Sequence, residues 1–215
     1  VFQYRIFTIT TIMGMLVFIS MIGGATILPI YMQNMHDYTA LQSGLMLLPG
    51  AIVMGIMNPI TGRIFDKFGA KWLAITGLFL VTVSTFLFTG LTATTSFTFL
   101  SVVNAVRMLG ISMVMMPVTT AGLNQLPVRL IPHGSAMNNT MRQVSASIGT
   151  ALLVTIMTST ALNPMAHGIE GYIHGVNVAF MVAGLLAAAG LVLAFFLKNS
   201  SPANEAKQQV ASTKR

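Results

Sequence analysis

Two arginines interrupt stretches that otherwise carry no charge: Arg107 within Phe97 to Leu123, and Arg142 within Ser135 to Leu162. A guanidinium keeps its proton and offers five N–H donors but no acceptor. Each therefore needs carbonyls, amides, water, a substrate or a carboxylate within reach. Asn104 stands one turn before Arg107, and Ser101 extends the same face. Around Arg142, the residues Ser135, Asn138, Asn139, Ser145, Ala146 and Gly149 recur at three- and four-residue spacing, with Met137, Met141, Val144 and Ile148 on the other side. That spacing predicts a polar, small-residue stripe turned towards a protein interior or an aqueous cavity. Snorkelling of Arg142 towards a nearby membrane surface is the competing reading. For Arg107, bracing backbone carbonyls where two helices cross competes with a direct part in transport.

Other chemistry is sparse. His167, Glu170 and His174 have helical spacing that could place metal ligands on one face. Gly168, Gly171 and Gly175 argue against a helix there and predict a solvated loop, while His36 and His133 are solitary. With 0 cysteines there is no disulfide framework and no thiolate ligand. The sequence has no metalloprotease histidine pair, no phosphate-binding glycine loop with its lysine and no nucleophile elbow. The expectation is a protein with no catalytic residues, no metal and no cofactor. The 17 methionines, among them Met108, Met113, Met115 and Met116, could line an adaptable apolar site or simply fill gaps between helices.

The elements that hold these residues follow from composition. Of 215 residues, 54% are apolar and 7% charged, against roughly 25% charged in soluble domains. So few charges cannot solvate a particle of this size, so the lipid bilayer is the expected solvent. The net charge of +7 does not point to nucleic acid, since the basic residues are scattered rather than gathered on one stripe. A spanning helix needs about 20 mostly apolar residues. Six segments meet that length: Ile6 to Met32, Leu41 to Gly62, Trp72 to Leu91, Phe97 to Leu123, Ser135 to Leu162, and Val176 to Leu197. They are too long and too evenly apolar for barrel strands. Interior Gly23, Pro29, Pro49, Pro59 and Pro117 are tolerable where neighbouring helices satisfy the freed backbone groups. None of the six segments contains Asp or Glu.

Placing Arg5 in the cytoplasm puts Arg63, Lys67, Lys71, Arg129, Lys198, Lys207, Lys214 and Arg215 there too and leaves the outer loops without Lys or Arg. This predicts a multi-pass plasma-membrane protein with both termini cytoplasmic. Tyr4, Tyr31, Tyr38, Tyr172 and Trp72 fall at segment ends, as an interfacial aromatic belt requires. The first segment is too long for a signal-peptide core and lacks a small-residue cleavage site. A start at Val1 instead of Met suggests a processed or truncated chain. The expected organisation is a six-helix bundle over residues 1–197 and a polar, disordered cytoplasmic tail over 198–215, whose basic residues could touch anionic lipid.

One connection stands apart: Gly62, Arg63, Ile64, Phe65, Asp66, Lys67, Phe68, Gly69, Ala70, Lys71, Trp72. Terminal glycines allow a tight turn, and one acid among three bases has ion-pair partners in the loop, which could make it a conformational latch. A purely topogenic basic loop fits the spacing equally well. The Gly62, Asp66, Lys67, Gly69, Lys71 spacing resembles the cytoplasmic signature loop of the major facilitator superfamily, found between the second and third helices of a six-helix half. Ala70 replaces the first residue of that family's usual basic pair. The stretch from Tyr38 through Thr39, Ala40, Leu41, Gln42, Ser43, Gly44 and Leu45 to Leu48, Pro49 and Gly50 is similar to drug:proton antiporters with fourteen helices. So is the group Asn139, Thr140, Met141, Arg142, Gln143, Gly149, Ala151 and Leu152.

The resemblance covers nearly all of the chain outside the tail and is to a carboxy-terminal half. It implies an all-α fold of two inverted three-helix repeats, an amino-terminal half as missing partner, and exchange of inward protons for outward lipophilic or cationic drugs by alternating access. The acids for proton coupling would lie in that other half. On this reading Asn104, Arg107, Asn138 and Arg142 line or brace the central pathway, and the Gly62 to Lys71 loop stabilises one access state. A fragment with an assembly role only and a channel-like pore stay open as alternatives.

Overall fold

The computed structural model describes residues 1–162 and 164–197. Six α-helices follow one another: α1 (Arg5–Met35), α2 (Ala40–Phe68), α3 (Ala70–Leu87), α4 (Phe97–Leu123), α5 (Ile131–Ser159) and α6 (Pro164–Phe195). Short 3-10 turns at Phe88–Gly90 and Val128–Leu130 end α3 and lead into α5. The predicted tail over 198–215 lies outside the described residues. The helices continue past Pro29, Pro49, Pro59 and Pro117, as lateral packing in a bundle permits.

All six expected helices form, and five of them are long and apolar enough to cross a membrane by length and composition alone. The exception is α5, whose 29 residues include Asn138, Asn139, Arg142, Gln143 and a series of serines and threonines. It lies within the bundle against α1 and α6 all the same, so its position rests on packing rather than on hydropathy.

The six most extensive helix packings are α2 with α4, α5 with α1, α3 with α4, α6 with α1, α1 with α4, and α3 with α6, and α5 also packs on α6. Exchanging the first three helices for the last three maps those six pairs onto themselves, the pattern expected of two related three-helix units. At the α3–α4 crossing, a Cβ on Gly77 would meet the Gly110 carbonyl at 2.6 Å, and one on Gly110 would meet the Gly77 carbonyl at 2.6 Å. Only glycine lets the backbones come so close.

The buried side chains form two apolar clusters. One holds Ile27, Leu28, Met32, Leu100, Val103, Leu153 and Phe180. The other holds Met13, Val17, Phe65, Leu78, Val81, Ile111 and Val114. Between them, Ser20 on α1, Thr82 and Thr85 on α3, and Asn104 and Arg107 on α4 make a buried polar level at mid-bundle.

Local structure at the helix ends departs from the sequence expectation in three places. The stretch read as a loop from Gly62 to Lys71 is helical except at Gly69, because charged residues end an apolar span without ending a helix. Helix α6 begins twelve residues before the predicted Val176, at Pro164, so Glu170, Gly171, His174 and Gly175 are helical, with a break at Gly168 where φ is 55°. Tyr31, at a predicted segment end, is fully buried among its neighbours, and its hydroxyl donates to the Thr92 carbonyl at 2.6 Å. His36, expected to be solitary, lies 2.7 Å from that hydroxyl and stacks on Tyr38.

Candidate functional site

The residues singled out by chemistry do not gather at one point. Arg107 is fully buried on α4 and turned towards α1. Its Nη2 donates to the Ser20 carbonyl. A Cβ on Gly24 would overlap the guanidinium, so the absence of a side chain at that position is what admits the arginine. Nε and Nη1 have no hydrogen-bond partner among the described residues, and neither amide atom of Asn104 has one. Asn104, one turn earlier, faces α2 instead: a Cβ on Gly50 would lie 2.7 Å from its Nδ2. Ser101 continues that face with a hydrogen bond of 3.3 Å to the Met46 carbonyl.

On α5 the predicted stripe divides. Gly134, Asn138, Ser145 and Gly149 are buried, and a Cβ on Gly149 would meet Ile19 of α1 at 2.7 Å. Arg142 is half-buried and Asn139 is exposed, so these two lie at the edge of that seam. Nη2 of Arg142 donates to Oδ1 of Asn139. Because α5 starts at Ile131 and not at Ser135, Arg142 sits about three turns, roughly 16 Å, along the helix.

Arg142 lines an open cleft of about 470 Å³ between α5 and the α2–α4 pair. Met54, Asn58 and Pro59 form the α2 wall, and Met115, Met116, Thr119 and Thr120 form the α4 wall. The Thr119 hydroxyl donates back to the Met115 carbonyl at 2.7 Å, which leaves its oxygen able to accept. The lining therefore combines thioether and proline surface, three neutral polar side chains and one cation, a composition suited to an amphiphilic small molecule. A second cavity, of about 530 Å³, lies between α1, α5 and α6 near Asn34, Met157 and Tyr172 and has no charged side chain in its lining.

The signature stretch occupies the end of α2 and the start of α3. Gly62 is buried in α2, where a Cβ would meet Met116 at 3.1 Å; it serves helix approach and not a turn. The turn belongs to Gly69 alone, with φ 83°, and its N–H caps α2 on the Phe65 carbonyl at 2.8 Å. Asp66 and Lys67 are exposed and Lys71 is half-buried. No ion pair within 4.0 Å forms among the described residues. Lys67 rests over the Phe68 ring, 5.4 Å from its centroid.

Sequence reasoning missed Asn177. Its side chain accepts from the Leu91 N–H at 3.2 Å and donates to the Leu91 carbonyl at 3.0 Å, tying α6 to the α3–α4 connection. The signal was a lone amide at the start of an apolar run. Among the described residues no three metal-ligating side chains come together.

Residues 1–150 match the Major Facilitator Superfamily. The Bacillus subtilis MFS-type transporter YcnB, itself uncharacterised, is 51% identical over 98% of this chain and 44% of its own length. The lincomycin resistance protein LmrB of the same organism is 41% identical over 92% of this chain and 43% of its own. The chain spans less than half the length of these relatives. A solved structure of a bacterial homologue of the human drug peptide transporters PepT1 and PepT2 matches with a TM-score of 0.74 at 17% identity, over 87% of this chain and 40% of that one.

Proposed function

The chain belongs to the Major Facilitator Superfamily, and from that premise we propose that it is the carboxy-terminal half of a proton-coupled multidrug exporter. The observation that carries the reading is the cleft beside Arg142, which sits on the most polar of the six helices and is walled by methionine and threonine. A polar helix packed on one side and open on the other fits an interior aqueous route and does not suit lipid. The resistance function named for LmrB supports small-molecule export as the task.

The companion half docks on the free faces of α2 and α5. Leu41, Leu45, Leu48, Ile52, Ile56 and Ile60 run exposed down α2, and Thr140, Gln143, Ser147, Ala151 and Thr155 run exposed down α5. Thr140 and Ser147 spend their hydroxyl protons on the carbonyls of Ala136 and Gln143, at 3.0 Å and 3.2 Å, so this ridge presents small, self-satisfied groups that another helix can approach closely. Closing over the cleft, the companion half turns it into part of a central cavity and supplies the titratable acid that this half lacks at depth.

Arg142 lines the pathway, Asn104 and Asn138 support it from behind, and Arg107 braces α1 against α4. The exposed bases Arg5, Arg63, Lys67 and Arg129, with the half-buried Lys71, mark the cytoplasmic end. Asp66 there pairs with a basic or N-terminal group of the companion half in one access state.

The test is drug efflux from proteoliposomes holding the full-length transporter, with and without an imposed pH gradient. Saturable, gradient-dependent efflux is expected, slowed by Asp66→Asn. Gradient-independent conductance would mean a pore, and absence of any flux would leave an assembly role only.

A further inference from the structure

We infer that the Arg142 cleft recognises an anionic oxygen group, such as a carboxylate, sulfonate or phosphate, on an otherwise apolar cargo molecule. The inference rests on the export reading above and narrows its substrate class.

The geometry of the guanidinium is the starting point. Asn139 takes one N–H of Arg142 through Nη2 and fixes the fork, leaving other donors of the fork free for a ligand. An oriented fork pairs with a planar or tetrahedral oxyanion through two parallel bonds. No acid occurs in the cleft lining. Among the described residues the chain's acids are Asp37, Asp66 and Glu170, which stand beyond or at the ends of the helices. The charge that this half contributes to the cleft is therefore purely positive, which favours an anionic group beside Arg142.

The walls specify the rest of the molecule. Met54, Met115 and Met116 offer deformable apolar surface, while Asn58 and Thr120 supply neutral polar contacts. A volume of about 470 Å³ is that of a small-molecule site. Arg107 cannot take this role, since it is sealed between α1 and α4 and touches no part of the cleft lining.

Two fluorescent amphiphiles isolate the charge: anilinonaphthalene sulfonate and phenylnaphthylamine share an aromatic body and differ by the sulfonate. Equilibrium binding of each to the full-length transporter in zwitterionic-lipid nanodiscs, against empty nanodiscs, needs no gradient and no transport. The sulfonate is expected to bind about tenfold more tightly than the neutral probe. Arg142→Gln should abolish that preference and leave the neutral probe unchanged, and Arg142→Lys should keep part of it.

Equal binding of the two probes to the unsubstituted transporter overturns the inference, whatever the variants do. So does an equal loss of both probes in Arg142→Gln, which would mark a structural ion pair with the companion half. Displacement of the sulfonate by phosphatidylglycerol in the nanodisc would reassign the cleft to lipid and also overturn it. A kept preference without gradient-driven efflux would refute the export reading and leave the recognition site standing.

Discussion

Arg107 and Arg142 sit on consecutive helices that run in opposite directions, each roughly 15 Å or slightly more from its own helix start and so from opposite ends of the bundle, and their surroundings are opposite too. Arg107 points into a seam where Gly24 leaves room for it and a carbonyl of the neighbouring helix receives it. Arg142 stands at the margin of a seam, held by an amide on its own helix and open to a cleft. A charge inside a membrane bundle is costly wherever it lies, so cost alone does not separate a brace from a binding group. What separates them is the facing helix: a glycine against Arg107, a gap against Arg142.

Substitutions can break or sharpen this contrast. The largest effect is expected from Arg107→Ala, which removes a fully buried side chain and leaves a void; stability should fall by about 2–4 kcal/mol, read as a lower thermal midpoint of the purified protein. A small change would mean that the seam collapses without it. Gly24→Ala comes next, at about 1–3 kcal/mol from overpacking. Combining it with Arg107→Met should recover most of that loss, a coupling that a double-mutant thermal cycle measures directly. Strict additivity would show that the two residues do not press on each other.

Arg107→Met alone should change stability by no more than about 1 kcal/mol in either direction, because an apolar chain of similar length replaces a cation whose Nε and Nη1 are unpartnered. Export of a neutral compound should persist in that variant, and its loss would move Arg107 from brace to pathway. The smallest stability effect belongs to Arg142→Ala, within about 0.5 kcal/mol. A shift in the thermal midpoint as large as that of Arg107→Ala would erase the distinction.

The number of helices was legible because span length and charge are coarse, additive signals. Phe97–Leu123 was read to the residue, since serine caps and turn residues bracket it: Ser96 accepts from the Phe99 N–H at 3.2 Å. The ends of α2 and α6 were not, because hydropathy reports where lipid stops and a helix continues past that point into water. The polar stripe on α5 was visible, but its division was not. Asn138 and Asn139 differ by one residue, about 100° of rotation, and only the neighbouring helices decide that the first is buried and the second left exposed. Tyr31 shows the same limit: its position at a segment end suited an interface, while the carbonyl that captures it, on Thr92, comes from a distant connection. For the four residues proposed to line or brace the pathway, the sequence could supply polarity; it could not supply the empty space beside one of them.

The hydrophilic tier at the height of Arg107 has a mechanical meaning. Greasy packing above and below it falls into two separate clusters, so the bundle is built as two stacked grips joined at a waist. At that waist α4 is fastened to α1 by a directional bond from Arg107 to the Ser20 carbonyl.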